Sequence, residues 1–133
     1  MIMTATMCLA LNMFFEARNE PIAGQQMVAE VTLNRVASSS YPDTICDVVY
    51  QNQQFSWTHD GLTDDPTKMS YLDKQAWEEI YKTAAIILSE PETYLPGTDT
   101  THYHADYVWP YWADDLEYVS KVGTHLFYKN RES

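Results

Sequence analysis

The chain has 133 residues, enough for one hydrophobic core, and 45% hydrophobic beside 20% charged residues marks a folded globular domain. Eight Lys plus Arg against nineteen Asp plus Glu leave a net charge of −11, which excludes electrostatic capture of nucleic acid and docking on anionic membranes. Aromatic residues are abundant at 14%, with ten Tyr and four Trp, and are expected to line a groove as well as fill the core.

Residues 4–17 are expected to form a first helix that carries Leu9, Met13 and Phe14 into the core and presents Glu16 in its last turn. The negative end of the helix dipole and the apolar neighbours both disfavour ionisation there, so the Glu16 pKa should rise, as suits a general acid. The plainer alternative is a solvated Glu16 paired with Arg18. The first fifteen residues are apolar but carry no basic region and no small-residue cleavage site, and they are too short to span a bilayer. They read as a structural helix, with no recognisable signal peptide and no stable membrane insertion.

Asn19 tolerates left-handed backbone angles and is expected to close this helix, with Pro21 opening a second over residues 22–36. Ala29, Leu33 and Val36 mark its inward stripe, widened by Met27, Val28 and Val31. Asp43 is the expected N-cap of a short helix carrying Ile45, Val48 and Val49. Cys8 and Cys46 are expected as buried free thiols, a pairing being left open because spacing alone does not decide it.

Periodicity disappears over residues 51–66, a loop of polar amides around Phe55 and Trp57. Gln54, Ser56 and Trp57 could grip a sugar's amide and ring face, or simply satisfy backbone groups. Ser70 and Asp73 form a capping box for a long helix, Tyr71–Ser89, with Ala76, Ile80, Ala84 and Leu88 inward and Glu78 and Glu79 solvated. After a turn-rich stretch at 91–100 the period becomes two, Thr101, Tyr103 and Ala105 facing one way and His102, His104 and Asp106 the other. Beyond Trp109, Pro110, Tyr111 and Trp112, the run 118–122 turns at Gly123 and Thr124 into residues 125–128, a hairpin. A helical body followed by a small antiparallel sheet gives an α+β fold, one domain over residues 1–133 with a groove between two lobes. His59, His102, His104 and His125 offer a weak metal pattern, without the tight H-E-x-x-H or C-x-x-C spacing of an evident metal centre.

Several ordered motifs carry a resemblance. Leu9 to Asn12 leading into Phe15, Glu16, Ala17, Arg18, Asn19, Glu20 and Pro21, then Ala29 to Val31 and Leu33 to Val36, resemble the spore cortex-lytic enzyme and cell wall hydrolase family. Val48 to Gln51, Gln54 to Trp57, Tyr103 to Ala105, Trp109 with Pro110 and Trp112, and Gly123 through His125, Phe127 and Tyr128 continue it in the same order. The resemblance implies a lysozyme-like fold of the lytic transglycosylase type that acts on the glycan strands of peptidoglycan, cleaving between N-acetylmuramic acid and N-acetylglucosamine. Glu16 falls on the family's single catalytic acid and base, with 1,6-anhydro products, unlike the two-carboxylate scheme of most glycosidases. Glu20, Glu30, Asp60 and Asp106 are the candidates for a second carboxylate, none with a sequence reason to be preferred.

Substrate binding falls to Gln54, Phe55, Ser56, Trp57, Tyr103, His104 and Trp109, with neither metal nor cofactor implied. The family often has Gly where Asn19 stands and Cys where His59 stands, which leaves Cys46 without that partner. The bare acidic domain looks like a phage endolysin, a monomer released to the wall by a holin. Two other classes remain open: a metal-dependent wall amidase or peptidase using the histidines, and a non-catalytic glycan-binding domain.

Overall fold

The computed structural model describes residues 3–51 and 70–131. Five helices and three strands follow in order among them: α1 (Ala5–Ala17), α2 (Ile22–Ala37), α3 (Ile45–Val49), α4 (Tyr71–Ser89), α5 (Pro91–Tyr94), β1 (His102–Ala105), β2 (Glu117–Val122) and β3 (His125–Lys129). A 3-10 turn at Tyr111–Asp114 joins β1 to β2. The fold is the expected α+β arrangement.

Helix α1 is the centre of the body. Thr4 caps it by accepting from the Met7 amide at 3.1 Å, and residues 8–14 are buried on every face. It packs against α2, α3 and α4. Leu9, Ala10, Met13 and Phe14 meet Ala29 of α2 and Ile80, Ala84 and Ile87 of α4 in the main cluster, while Leu11 packs with Val49 of α3. The Ser70 hydroxyl accepts from the Asp73 amide at 3.3 Å, as the cap of α4 requires, and Glu78 and Glu79 are exposed.

Four expectations are corrected. Cys8 and Cys46 are not free thiols: they form a disulfide, because α1 and α3 pack closely enough to bring their Cα atoms to 5.2 Å. Asn19 is not left-handed. Arg18 ends α1 in right-handed geometry and the Glu20 amide reaches back to the Ala17 carbonyl at 3.0 Å, so the chain turns without a positive φ. The cap of α3 is Thr44, which accepts from the Asp47 amide at 3.1 Å, not Asp43. Residues 91–100 are not all turn, since Pro91 opens the single helical turn α5.

The inward stripe of α2 is widened by Met27, Val28 and Val31, as expected. They pack with Phe127 of the sheet, and a third face is buried and polar. There the Glu30 carboxylate accepts from the amides of Gly97 and Thr98 and from the Thr98 hydroxyl at 2.5 Å. Asn34 donates to the Thr100 carbonyl and Arg35 to that of Thr101, each at 2.8 Å. Three side chains of one helix thus fix the extended segment that leads into β1.

The sheet order is β1-β3-β2, both pairs antiparallel, with a bulge between Tyr118 and Ser120. Val122 pairs with His125 across a two-residue turn, and Gly123 at φ +60° supplies the positive angle such a hairpin needs. As the period of two implied, Tyr103 turns towards the helical body, while His102 and His104 lie against Trp112 on the other face. No helix among the described residues is long and apolar enough to cross a membrane.

Candidate active site

Helix α1 delivers Glu16 in its last turn to a pocket of about 230 Å³, lined on one side by residues 15–20 and on the other by Ala105, Tyr107, Thr124 and His125. The pocket therefore lies where the corner of the α1–α2 hairpin faces the end of the sheet. Burial pushes the Glu16 carboxyl up from 4.5 to about 7. Its sequence neighbour Arg18 does not pair with it. The guanidinium reaches Asp73 of α4 at 3.5 Å and lies over the Phe14 ring at 5.0 Å. A protonated carboxyl at neutral pH is what a general acid needs.

Tyr103 stands behind Glu16. Burial, and next the Glu16 carboxylate, raise its phenol well above the ordinary value, while Arg35 and Asn12 pull the other way. Glu16, Tyr103, Arg35 and Asn12 thus form one electrostatic neighbourhood. His104 spends both ring nitrogens inside the protein, on the Ala105 carbonyl at 2.7 Å and the Tyr128 hydroxyl at 2.8 Å. Since the carbonyl can only accept, Nδ1 carries the proton and Nε2 accepts from Tyr128. The ring supports Trp109, whose centroid is 5.4 Å away and which is 63% exposed. Trp109 is outside the pocket lining, whereas Tyr107, at 84% exposure, is part of it. Gln54, Phe55, Ser56 and Trp57, with His59 and Asp60, lie outside the described residues.

Sequence reasoning did not bring Tyr107 and Thr124 to the site, and weighed Glu20 only as a second carboxylate and His125 only as a metal ligand. The Glu20 carboxylate accepts from the Thr124 amide at 2.7 Å and hydroxyl at 3.0 Å, and lies 3.6 Å from Nδ1 of His125. Although that spacing fits an ion pair, burial holds the His125 imidazole below its ordinary pKa despite the opposing pull of Glu20 and Asp106, so the ring is neutral at pH 7. The available signal was the Gly123-Thr124 turn, which had to bring His125 to the lip of the groove.

The other expected acids are engaged elsewhere. Glu30 holds residues 97 and 98, and Asp106 pairs with Lys121 at 3.1 Å. The histidines are dispersed as well: His102 meets Thr101 at 3.0 Å and Trp112, away from His125 beside Glu20. Among the described residues no three metal-ligating side chains converge.

The chain is 29% identical to the spore cortex-lytic enzyme of Bacillus cereus over 126 residues, 91% of this chain and 42% of that protein. It is 26% identical to the enzyme of the same name from Bacillus subtilis, across 90% of this chain and 35% of that one. It spans less than half the length of these sequence relatives. Its fold is similar to the catalytic domain of the germination-specific lytic transglycosylase SleB from Bacillus anthracis, with a TM-score of 0.67, 25% identity and coverage of 96% of this chain and 97% of that one. The catalytic domain of the Bacillus cereus SleB protein gives a TM-score of 0.62 at 27% identity, over 94% and 90% of the two chains. The helical body with its small sheet is thus the lysozyme-like fold of those domains. The family model described as Cell Wall Hydrolase matches residues 19–128, beginning just past Glu16 and ending within β3, and the chain belongs to that cell wall hydrolase family.

Proposed function

We propose that this domain cleaves peptidoglycan glycan strands between N-acetylmuramic acid and N-acetylglucosamine, with Glu16 as the single general acid and base. The observation that carries the proposal is a carboxyl raised to about 7 at the floor of a cleft between helices and sheet. Protonated Glu16 gives its proton to the glycosidic oxygen as the bond breaks, leaving positive charge on the muramoyl C1. The resulting Glu16 carboxylate then takes the proton of the C6 hydroxyl, whose oxygen closes on C1 as a 1,6-anhydro ring. Glu16 ends protonated, so no water is consumed and no second carboxylate is required.

Three of the four acids that might have filled the second role support this one-carboxylate reading, since Glu20, Glu30 and Asp106 are committed to Thr124, Thr98 and Lys121. Proton transfer of this kind contributes roughly 10²- to 10⁴-fold. Binding and charge stabilisation supply the remainder, and for them we propose Gln54, Phe55, Ser56 and Trp57 with Tyr107 and Trp109. Tyr103 and His104 act as supports, one beside Glu16 and the other beneath Trp109. A disulfide suits an oxidising compartment outside the cytoplasm, where the wall lies. The same site chemistry serves a phage endolysin and a bacterial wall enzyme, so the proposal covers either.

The test is mass spectrometry of soluble muropeptides released by the protein and by its Glu16→Gln variant. Products ending in 1,6-anhydro-N-acetylmuramic acid, absent with the variant, are expected. Reducing-end muramic acid would replace the internal attack by water, and free stem peptides with intact glycan would overturn the glycosidase reading.

A further inference from the structure

His125 is 8% exposed, yet it lines the pocket that holds Glu16. Its ring packs edge-on against Tyr103, at 5.2 Å between centroids, and Phe127, at 6.2 Å, two rings that themselves lie 5.6 Å apart and support it from one side. The Nδ1 atom is buried without a hydrogen bond, and Oε1 of Glu20 stands 3.6 Å from it. A bare lone pair facing a carboxylate is repelled, whereas an N–H is attracted, so the neutral ring should carry its proton on Nδ1. The edge then left for the cleft is that of Nε2, with its lone pair unused.

Glu20 is itself rigidly placed. It accepts twice from Thr124, and an added Cβ on Gly123 would sit 2.4 Å from its Oε1 and 2.9 Å from Cδ of Pro21. A side chain from the corner of the α1–α2 hairpin therefore grips the turn of the β2–β3 hairpin on the opposite side of the cleft. Glu16 precedes this corner and His125 follows this turn, so one carboxylate sets the separation of both.

We propose that His125 is a second substrate-contacting group of the cleft, whose Nε2 accepts a hydrogen bond from a hydroxyl or N-acetyl N–H of the glycan strand, and that Glu20 is the positioning residue that fixes its tautomer and place. The inference rests on the peptidoglycan reading of the site for its ligand, but not for the state of the ring.

The test joins imidazole nitrogen NMR to kinetics. The wild type should show His125 as the Nδ1–H tautomer at pH 7, and titration with an N-acetylglucosamine tetrasaccharide should shift its Nε2 resonance. Glu20→Gln keeps an oxygen for the Thr124 amide while removing the charge, and should move population to the Nε2–H form. His125→Phe keeps the ring packing and should lower kcat/KM on peptidoglycan by roughly 3- to 10-fold, the worth of one hydrogen bond, with thermal stability held. An Nε2–H tautomer in the wild type, an Nε2 resonance indifferent to the tetrasaccharide, or full kcat/KM in a folded His125→Phe would each overturn the proposal while Glu16→Gln stayed inactive. Loss of wall cleavage by the wild type would instead count against the function proposed above, with the two NMR readouts still deciding the role of His125.

Discussion

Replacing Glu16 by Gln should abolish wall cleavage and at the same time stabilise the protein at alkaline pH. Burial raises the Glu16 carboxyl from 4.5 to about 7. Below 4.5 the group is protonated in folded and unfolded chains alike, and the fold bears no penalty from it. Between 4.5 and 7 the unfolded chain releases the proton while the folded chain keeps it, so stability falls as pH rises; above 7 the full cost of a buried charge is present. At 1.36 kcal/mol per pKa unit that plateau is about 3 kcal/mol, against about 0.8 kcal/mol at pH 5. Glutamine has nearly the same shape and no charge, and escapes both. Urea denaturation of wild type and variant at pH 5 and 8.5 isolates the effect, because other titrating groups cancel in the difference. The variant's advantage should grow by about 2 kcal/mol between the two pH values, worth several degrees in Tm for a domain of this size. An advantage that is absent, or the same at both pH values, would refute the buried-acid argument even if the variant were inactive.

Reducing the Cys8–Cys46 bridge, which closes a separation of 38 residues, should cost about 4 kcal/mol by the chain-entropy argument; urea melts with and without reductant would show it, and identical midpoints would contradict it. Gly123→Ala forces a Cβ against Glu20 and Pro21 at φ +60° and should destabilise by about 2–3 kcal/mol in thermal melts while lowering activity, an unchanged Tm telling against the clamp. Glu30→Ala leaves the amides of Gly97 and Thr98 without their acceptor and should cost about 2–4 kcal/mol, with hydrogen exchange at residues 97–101 accelerating before that of α1. Asp73→Ala frees Arg18 and should draw the Glu16 pKa down, so the alkaline fall of the kcat profile should move to lower pH; an unmoved profile would show that Arg18 cannot reach Glu16.

Periodicity was enough for α1, α2, α4 and the terminal hairpin because each buries a regular face, and Gly123 with Thr124 leaves the chain little choice of turn. It was not enough for polar burial. Glu30 and Arg35 are buried on α2 outside its apolar stripe, and only the later segment 97–101 makes their burial intelligible. The disulfide was hidden for a related reason: Cys8 and Cys46 become neighbours through the packing of α1 on α3, a tertiary fact that spacing does not encode. At the site, Glu16 could be found from its place at the end of an apolar helix. The place of His125 could not, because it depends on its contact with Glu20, and sequence alone offered the one as a metal ligand and the other as one of four candidate second carboxylates.

Burial raises the Glu16 carboxyl, and it can do so because no cation among the described residues is turned towards it. Helix α1 has no basic residue in its last turn, so nothing within the helix offsets the carbonyl dipoles that face the carboxyl. The nearest cation in sequence, Arg18, lines the same pocket, and a guanidinium turned towards Glu16 would hold the carboxylate ionised and useless as an acid. Asp73 prevents this. It is in the first turn of α4, where a carboxylate is favoured by the helix N-terminus, and from there it draws the Arg18 guanidinium over the face of Phe14. The contact between α1 and α4 therefore does more than close the core: it occupies a cation of the pocket lining that would otherwise hold Glu16 ionised, and so helps keep the raised carboxyl able to give a proton to a glycosidic oxygen.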